Sequence, residues 1–214
     1  MSKKKFRVSF IAVLVMIIMA ISAPAMQMHA APKTMSDGGV FDAEYYAQQN
    51  PDVASAIGTD EETLYLHYKL YGEKEGRIPY DPKSPEVAEI KNDEAVASGI
   101  SAIKAQYPEG MHWTNEDVYI PKYAHVRAYG CAGFAYICSD TIYGENAPYK
   151  AYQNINQIRV GDIVHLDNGE HYVFVIGKDA DGIVAAEGNY NQSIHYGRHI
   201  PYSTMEFTDG VTRR

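Results

Sequence analysis

Basic residues are in short supply. Lys and Arg number 19 against 27 Asp and Glu, and four of the 19 (Lys3, Lys4, Lys5 and Arg7) fall in the first thirty residues, which hold no acid. The remaining 15 against 27 leave a formal charge of −12 on residues 31–214. That balance argues against nucleic acid as a partner, and against adhesion to anionic wall polymers or lipids through charge alone. Low-complexity tracts are missing, so extensive disorder is not expected. The histidines share no ligand spacing, and Asp179-Ala180-Asp181-Gly182 lacks the distal glutamate of a calcium loop. No metal or other cofactor is expected. Tryptophan occurs once, at Trp113, and 18 tyrosines outnumber 6 phenylalanines, which suits half-buried, half-wet aromatic positions.

One uninterrupted apolar run stands out, at residues 10–21. It follows the basic cluster and precedes the small residues Ala23-Pro24-Ala25 and Ala30-Ala31. This is the layout of a secretory signal peptide, with an uncleaved anchor as its rival because the run nearly spans a bilayer. The expectation is cleavage after Ala25 or Ala30, a secreted or cell-surface location, no membrane segment after cleavage, and a monomer.

Cysteine is scarce as well, and this makes it informative. An exported chain with two cysteines would ordinarily hold one disulfide. Cys131 and Cys138 lie seven apart on one helical pattern, so their Cα atoms are ~10 Å apart at ~1.5 Å rise per residue. A disulfide spans no more than ~7 Å. Two free thiols are expected. Cys138 lies on the apolar face as a small core residue. Cys131 follows Gly130 and opens the helical pattern carried by Phe134, Ala135, Cys138 and Ile142, which Gly144 ends. A cysteine in a first helical turn meets unpaired backbone N–H groups and the positive end of the helix dipole, which favour the nucleophilic thiolate.

Residues 39–80 read as a small helical module. Asp42 is placed to cap one helix, Asn50-Pro51-Asp52 marks a break or a new start, and Gly58 ends that element. Asp60-Glu61-Glu62 opens another helix, on which Leu64, His67, Tyr68 and Tyr71 share a face and which Gly72 closes. His67 reads as a half-buried histidine satisfied by a tyrosine rather than as a ligand. The landmarks Phe41-Asp42, Tyr45-Tyr46, Asn50-Pro51-Asp52-Val53, His67-Tyr68, Tyr71-Gly72 and Glu75-Gly76-Arg77 resemble a short module of secreted bacterial proteins. The sequence does not fix a role for this module; attachment to a cell surface and spacing are both left open.

Residues 81–93 read as a linker, with helical periodicity from Val87 to Tyr107 and a break near Asn92-Asp93. In the irregular segment that follows, Trp113 is a candidate for lining a substrate groove. Beyond the cysteine helix the period becomes two. Residues 162–166 and 171–176 form a hairpin around Asp167-Asn168-Gly169-Glu170, residues 183–187 a third strand and 193–200 a fourth. A helix followed by short antiparallel strands predicts an α+β fold, with a nucleophile helix packed on an antiparallel sheet over residues 94–214.

A cysteine nucleophile needs a base, and the base needs an orienting group. His171, first in its strand beside a sheet end, is the best base. His165, His195, His199, His112 and His125 are worse placed. Glu187 or Asn189, at the end of the next strand, could accept from the imidazole N–H.

Gly130-Cys131-Ala132-Gly133-Phe134, Gly161-Asp162-Ile163-Val164, His171 at a strand start and Glu187-Gly188-Asn189-Tyr190 together resemble the CHAP amidase/peptidase family, which is papain-like and related to the NlpC/P60 peptidases. Cys131, His171, Glu187 and Asn189 match its four site positions one by one. Gly130 stands where a polar residue often precedes the cysteine, so no oxyanion side chain is named. The resemblance implies a secreted bacterial enzyme that cleaves amide bonds of peptidoglycan through a thioester. The readings that compete with it are a non-catalytic surface-binding protein on a degenerate scaffold and an acyltransferase using the same thioester.

Overall fold

The computed structural model describes residues 31–214. The signal-peptide expectation lies outside the described residues, and none of their helices is long and apolar enough to cross a membrane.

The small module begins with β1 (Lys33–Thr34) and β2 (Val40–Phe41), a two-stranded antiparallel pair. Helix α1 (Ala43–Gln49) starts where the Asp42 carboxylate accepts the Tyr45 N–H at 2.9 Å. Pro51 opens α2 (Pro51–Ile57), since its missing N–H costs nothing in a first turn. Asp60 caps α3 (Glu61–His67), which runs into a single π-turn, Tyr68–Gly72. Phe41, Tyr46, Val53 and Leu64 form a separate apolar core, in which Tyr46 Oη meets His67 Nδ1 at 3.1 Å. Arg77 closes the unit by donating to Asn50 Oδ1 at 2.8 Å and to Asp52 Oδ2 at 2.9 Å.

Helix α4 (Pro85–Gln106) is longer than the sequence pattern suggested. Ser84 caps it and Pro85 opens it, so residues 85–93 are helical and the linker shrinks to residues 80–84. The expected break at Asn92-Asp93 does not occur. Asn92 turns inward instead, donating to Val160 O at 2.8 Å and accepting from Tyr143 Oη at 2.7 Å, so a residue that looks like a helix breaker is satisfied by tertiary partners.

A short pair follows, β3 (Val118–Tyr119) with β4 (Ala128–Tyr129), and β4 leads directly into α5 (Gly130–Tyr143). The rest of the chain builds one antiparallel sheet from β5 (Lys150–Tyr152), β6 (Ile163–Leu166), β7 (His171–Lys178), β8 (Gly182–Tyr190), β9 (Ser193–Pro201) and β10 (Phe207–Thr212), in the order β5-β10-β6-β7-β8-β9. The fold is α+β. Strand β10 was not expected from the sequence: Gly210 and the polar residues Thr208 and Asp209 dilute its period-two pattern. It wedges between β5 and β6. One apolar core joins Val96, Ile100 and Ile103 of α4, Phe134, Ala135 and Cys138 of α5, and Val173, Phe174, Val175, Ile183 and Ala185 of the sheet. Burying α5 between α4 and the sheet fixes where its first residue points.

Candidate active site

Cys131 sits in the first turn of α5 and is half-buried, whereas Cys138 is fully buried on the core side; both are free thiols. The turn into α5 requires glycine at 130. Its φ of 51° lies in the left-handed region, and a Cβ there would collide with the Asn115 side chain. The Gly130 carbonyl accepts the Trp113 indole N–H at 2.8 Å. Trp113 is 7% exposed and packs against Tyr107 and Phe134, so it braces the nucleophile turn from inside the core. This corrects the groove-lining role expected for it: the indole N–H is consumed by the backbone and its ring faces are covered.

His171 opens β7 directly after the turn Asp167–Gly169, in which Asn168 takes φ 54°. The hairpin register pairs Leu166 with His171 and holds the ring at the sheet end above the start of α5. Its Nε2 lies 2.7 Å from Glu187 Oε1, which leaves Nδ1 for Cys131. Glu187 has no exposed surface, yet both of its oxygens are engaged. Arg198 of β9 donates from Nε to Oε2 at 2.7 Å and from an Nη to Oε1 at 2.5 Å, while its guanidinium lies over the Tyr190 ring. A buried carboxylate is tolerable only when paired and hydrogen-bonded, and here two cations share it.

The electrostatics of these groups reinforce one another. Burial disfavours the Cys131 thiolate, but the adjacent His171 and the backbone N–H groups of Tyr172 and Ala132 outweigh it and hold the thiol below its ordinary range. Burial likewise opposes imidazolium at His171, and the Cys131 and Glu187 partners overcome it and push the ring up to about 9. Glu187 is driven upward by burial and further downward by His171 and Arg198, so it stays ionised below the usual carboxylate range. Cys138 has no such partner, and burial alone pushes its thiol up. The arrangement therefore favours a thiolate–imidazolium pair over two neutral groups, the state in which sulfur attacks carbonyl carbon.

Asn189 stands apart. Its backbone turns left-handed at φ 56°, and its side chain donates to Asn115 Oδ1 at 3.0 Å rather than to His171. Between the two orienting candidates, the ring contact belongs to Glu187. Three of the competing histidines have other partners. His165 is 2.6 Å from Gly169 O and stacks on Tyr172, His195 meets Glu109 at 2.7 Å, and His199 meets Asp179 at 3.2 Å.

The chain was compared with family models, with curated proteins and with solved structures. None matches. The chemistry of the site therefore rests on its own geometry. Two of its residues escaped the sequence reading. Arg198 lies in an alternating strand where a charged residue reads as solvent-facing, and only the bulged β8–β9 pairing brings it back onto Glu187. Asn115 lies in a segment without periodicity; its one available signal was its place ahead of the Gly130-Cys131 turn.

Proposed function

We propose that this chain is a secreted cysteine hydrolase that cleaves amide bonds of peptidoglycan, with a CHAP-like, papain-type arrangement of its nucleophile helix and sheet. The observation that carries the reading is the Cys131–His171–Glu187 relay, in which a thiol at a helix start lies beside an imidazole whose other nitrogen is held by a buried carboxylate. The family resemblance of the four site positions supplies the substrate class. The module at residues 39–80 is assigned to cell-surface attachment on its own resemblance to a short module of secreted bacterial proteins.

The reaction follows from the parts. The Cys131 thiolate adds to the amide carbonyl carbon, and the negative charge moves to the carbonyl oxygen, within reach of the Cys131 backbone N–H in the first helical turn. Collapse of this intermediate breaks the C–N bond. The imidazolium gives its Nδ1 proton to the departing amine, leaving a thioester and a neutral ring. Water then adds to the thioester as the ring accepts its proton, and the C–S bond breaks to release a carboxylic acid and restore the thiolate. Throughout, Glu187 fixes the ring orientation and stabilises its charged form. The turnover requires no redox partner.

Digestion of purified peptidoglycan, with mass spectrometry of the soluble fragments, tests the proposal. Wild type should release fragments carrying new amine and carboxyl ends. Cys131→Ala should release none while keeping the wild-type circular dichroism spectrum, because the side chain sits at a helix end and is only half-buried. Equal release by the two proteins would remove Cys131 from the mechanism. Absence of release by wild type, with slow alkylation of Cys131, would favour a binding protein.

A further inference from the structure

Beside the nucleophile turn lies a cavity of about 380 Å³ lined by His112, Thr114, Asn115, Glu116, Asn189 and Gln192. Two chain segments build it. The loop after β8 runs along the segment before β3, held by Trp113 N–H to Gln192 O at 3.0 Å, Ile194 N–H to Met111 O at 2.8 Å and a bridge between His112 and Ser193. The cavity adjoins the site through Asn115, whose side chain rests against Gly130 next to Cys131, and through Asn189, two residues after Glu187. None of the other cavities found among the described residues shares a lining residue with it; they lie on the small module, between α4 and the end of β7, or beside β5 and the turn after β7.

The lining is chemically narrow. Three of the six side chains are carboxamides, and none is Lys or Arg. The one charged wall residue, Glu116, is an acid. Asn189 and Asn115 are joined by a single hydrogen bond, Nδ2 to Oδ1 at 3.0 Å. Each amide thus keeps one group for a ligand: an acceptor on Asn189 and a donor on Asn115. Turning both amides over exchanges these roles but still leaves one donor and one acceptor side by side. That pair is the complement of an amide, which offers one C=O and one N–H. Among the described residues, no partner takes the Gln192 carboxamide. The backbone also takes the left-handed region at three positions here, with φ of 56° at Asn189, 49° at Asn191 and 63° at Gln192.

We propose that this cavity is a substrate subsite for an uncharged amide group, and that it discriminates against a carboxylate at the same place. The inference rests on the hydrolase reading above and narrows its substrate to chains that carry a neutral amide next to the cleaved bond. Asn115 and Asn189 read the amide. Glu116 and the absence of a cation reject the acid, since a carboxylate would enter a wall that already carries negative charge and offers it one donor where it needs several.

The test uses purified peptidoglycan in two forms, one untreated and one whose free carboxyl groups have been converted to primary amides with carbodiimide and ammonia. Wild type, Asn115→Ala, Asn115→Asp and Cys131→Ala are compared by initial rates of fragment release. Wild type should favour the amidated form in kcat/KM. Asn115→Ala should lose about tenfold in kcat/KM on that form, chiefly through KM, and Asn115→Asp should lose more. Iodoacetamide, too small to need the cavity, reports damage to the nucleophile: a loss in kcat/KM well beyond any loss in the alkylation rate of Cys131 supports the subsite, and equal losses in the two would overturn it. Wild-type constants in both Asn115 variants, or a wild-type preference for the untreated form, would overturn the subsite. If wild type releases no more than Cys131→Ala from either form, the hydrolase reading itself fails and the subsite falls with it.

Discussion

Replacing Glu187 by Gln tests the electrostatic core of the site without any knowledge of the substrate. The exchange keeps the shape and an acceptor for His171 Nε2, but deletes the negative charge 2.7 Å from the ring. His171 stands at about 9 against an ordinary 6.5 although burial opposes it. The net preference for imidazolium is roughly 3 kcal/mol. Two anionic neighbours create it, Cys131 and Glu187, and an opposite charge at such range is worth about 1–3 pH units. Losing Glu187 should therefore weaken the thiolate–imidazolium pair by about 1–2 pH units. The assay is the rate of iodoacetamide alkylation against pH, with Cys138 as an internal control because it is fully buried. In wild type the acid limb reports thiolate formation at Cys131, below the ordinary thiol range. In Glu187→Gln the second step of the profile, where the ring loses its proton at about 9 in wild type and leaves an unpaired thiolate, should move to lower pH by about 1–2 units. Hydrolysis by wild type should also fall as pH rises through about 9, where the ring loses the proton it must donate, and in the variant this fall should begin at lower pH. The sign for stability is the same. A ring whose value is raised on folding stabilises fully below 6.5 and ceases to do so as pH passes about 9. The fold should tolerate the exchange, because the Arg198 side chain left without its partner is 32% exposed and can reach water. Coincident alkylation profiles for the two proteins would refute the account.

Three further perturbations probe the supports of the site. Arg198→Met should raise the Glu187 carboxyl, because this buried acid would keep only His171 as a cationic partner, and the acid limb of hydrolysis should move upward; Arg198→Lys should recover part of the shift without the two-pronged contact, and an unchanged pH profile in the Met variant would count against the role. Gly130→Ala should cost about 1–2 kcal/mol for the left-handed backbone alone, with an added clash at Asn115, and thermal denaturation alongside alkylation should show losses in both stability and reactivity. Arg213→Met should cost about 3–5 kcal/mol in urea denaturation by stranding the buried Asp140 carboxylate, which otherwise receives Arg213, Tyr119 and Tyr149; a loss below about 1 kcal/mol would show that the two tyrosines suffice.

What could be read before the structure was largely local. The helix over Gly130–Tyr143 follows from apolar spacing between two glycines, and the β6–β7 hairpin from an Asn-Gly turn between alternating strands. Those two elements already place a thiol and an imidazole at element starts, which is why Cys131 and His171 could be named. Sequence left Glu187 and Asn189 equivalent, because both sit at the end of β8 and only the left-handed turn at Asn189 sends one inward and the other toward Asn115. The long-range features were not legible. Asn92 reads as a break until Val160 and Tyr143 are seen to hold it, Trp113 reads as a groove residue until Gly130 O is seen to take its N–H, and β10 has too short a pattern to announce its place beside β6.

The position of β10 has a consequence for how the molecule is made. Synthesis reaches Phe207–Thr212 only after every other strand of the sheet, yet that strand occupies a place inside it, with neighbours made more than forty residues earlier on either side. The helix and the hairpins that carry sulfur, ring and carboxylate can assemble as soon as they emerge. The β5 edge cannot join them until Phe207–Thr212 arrives. Maturation should thus run in two stages, a nucleophile half that gathers early and an opposite flank that waits for this one strand, with the unfilled slot beside β6 open to stray strands in the interval.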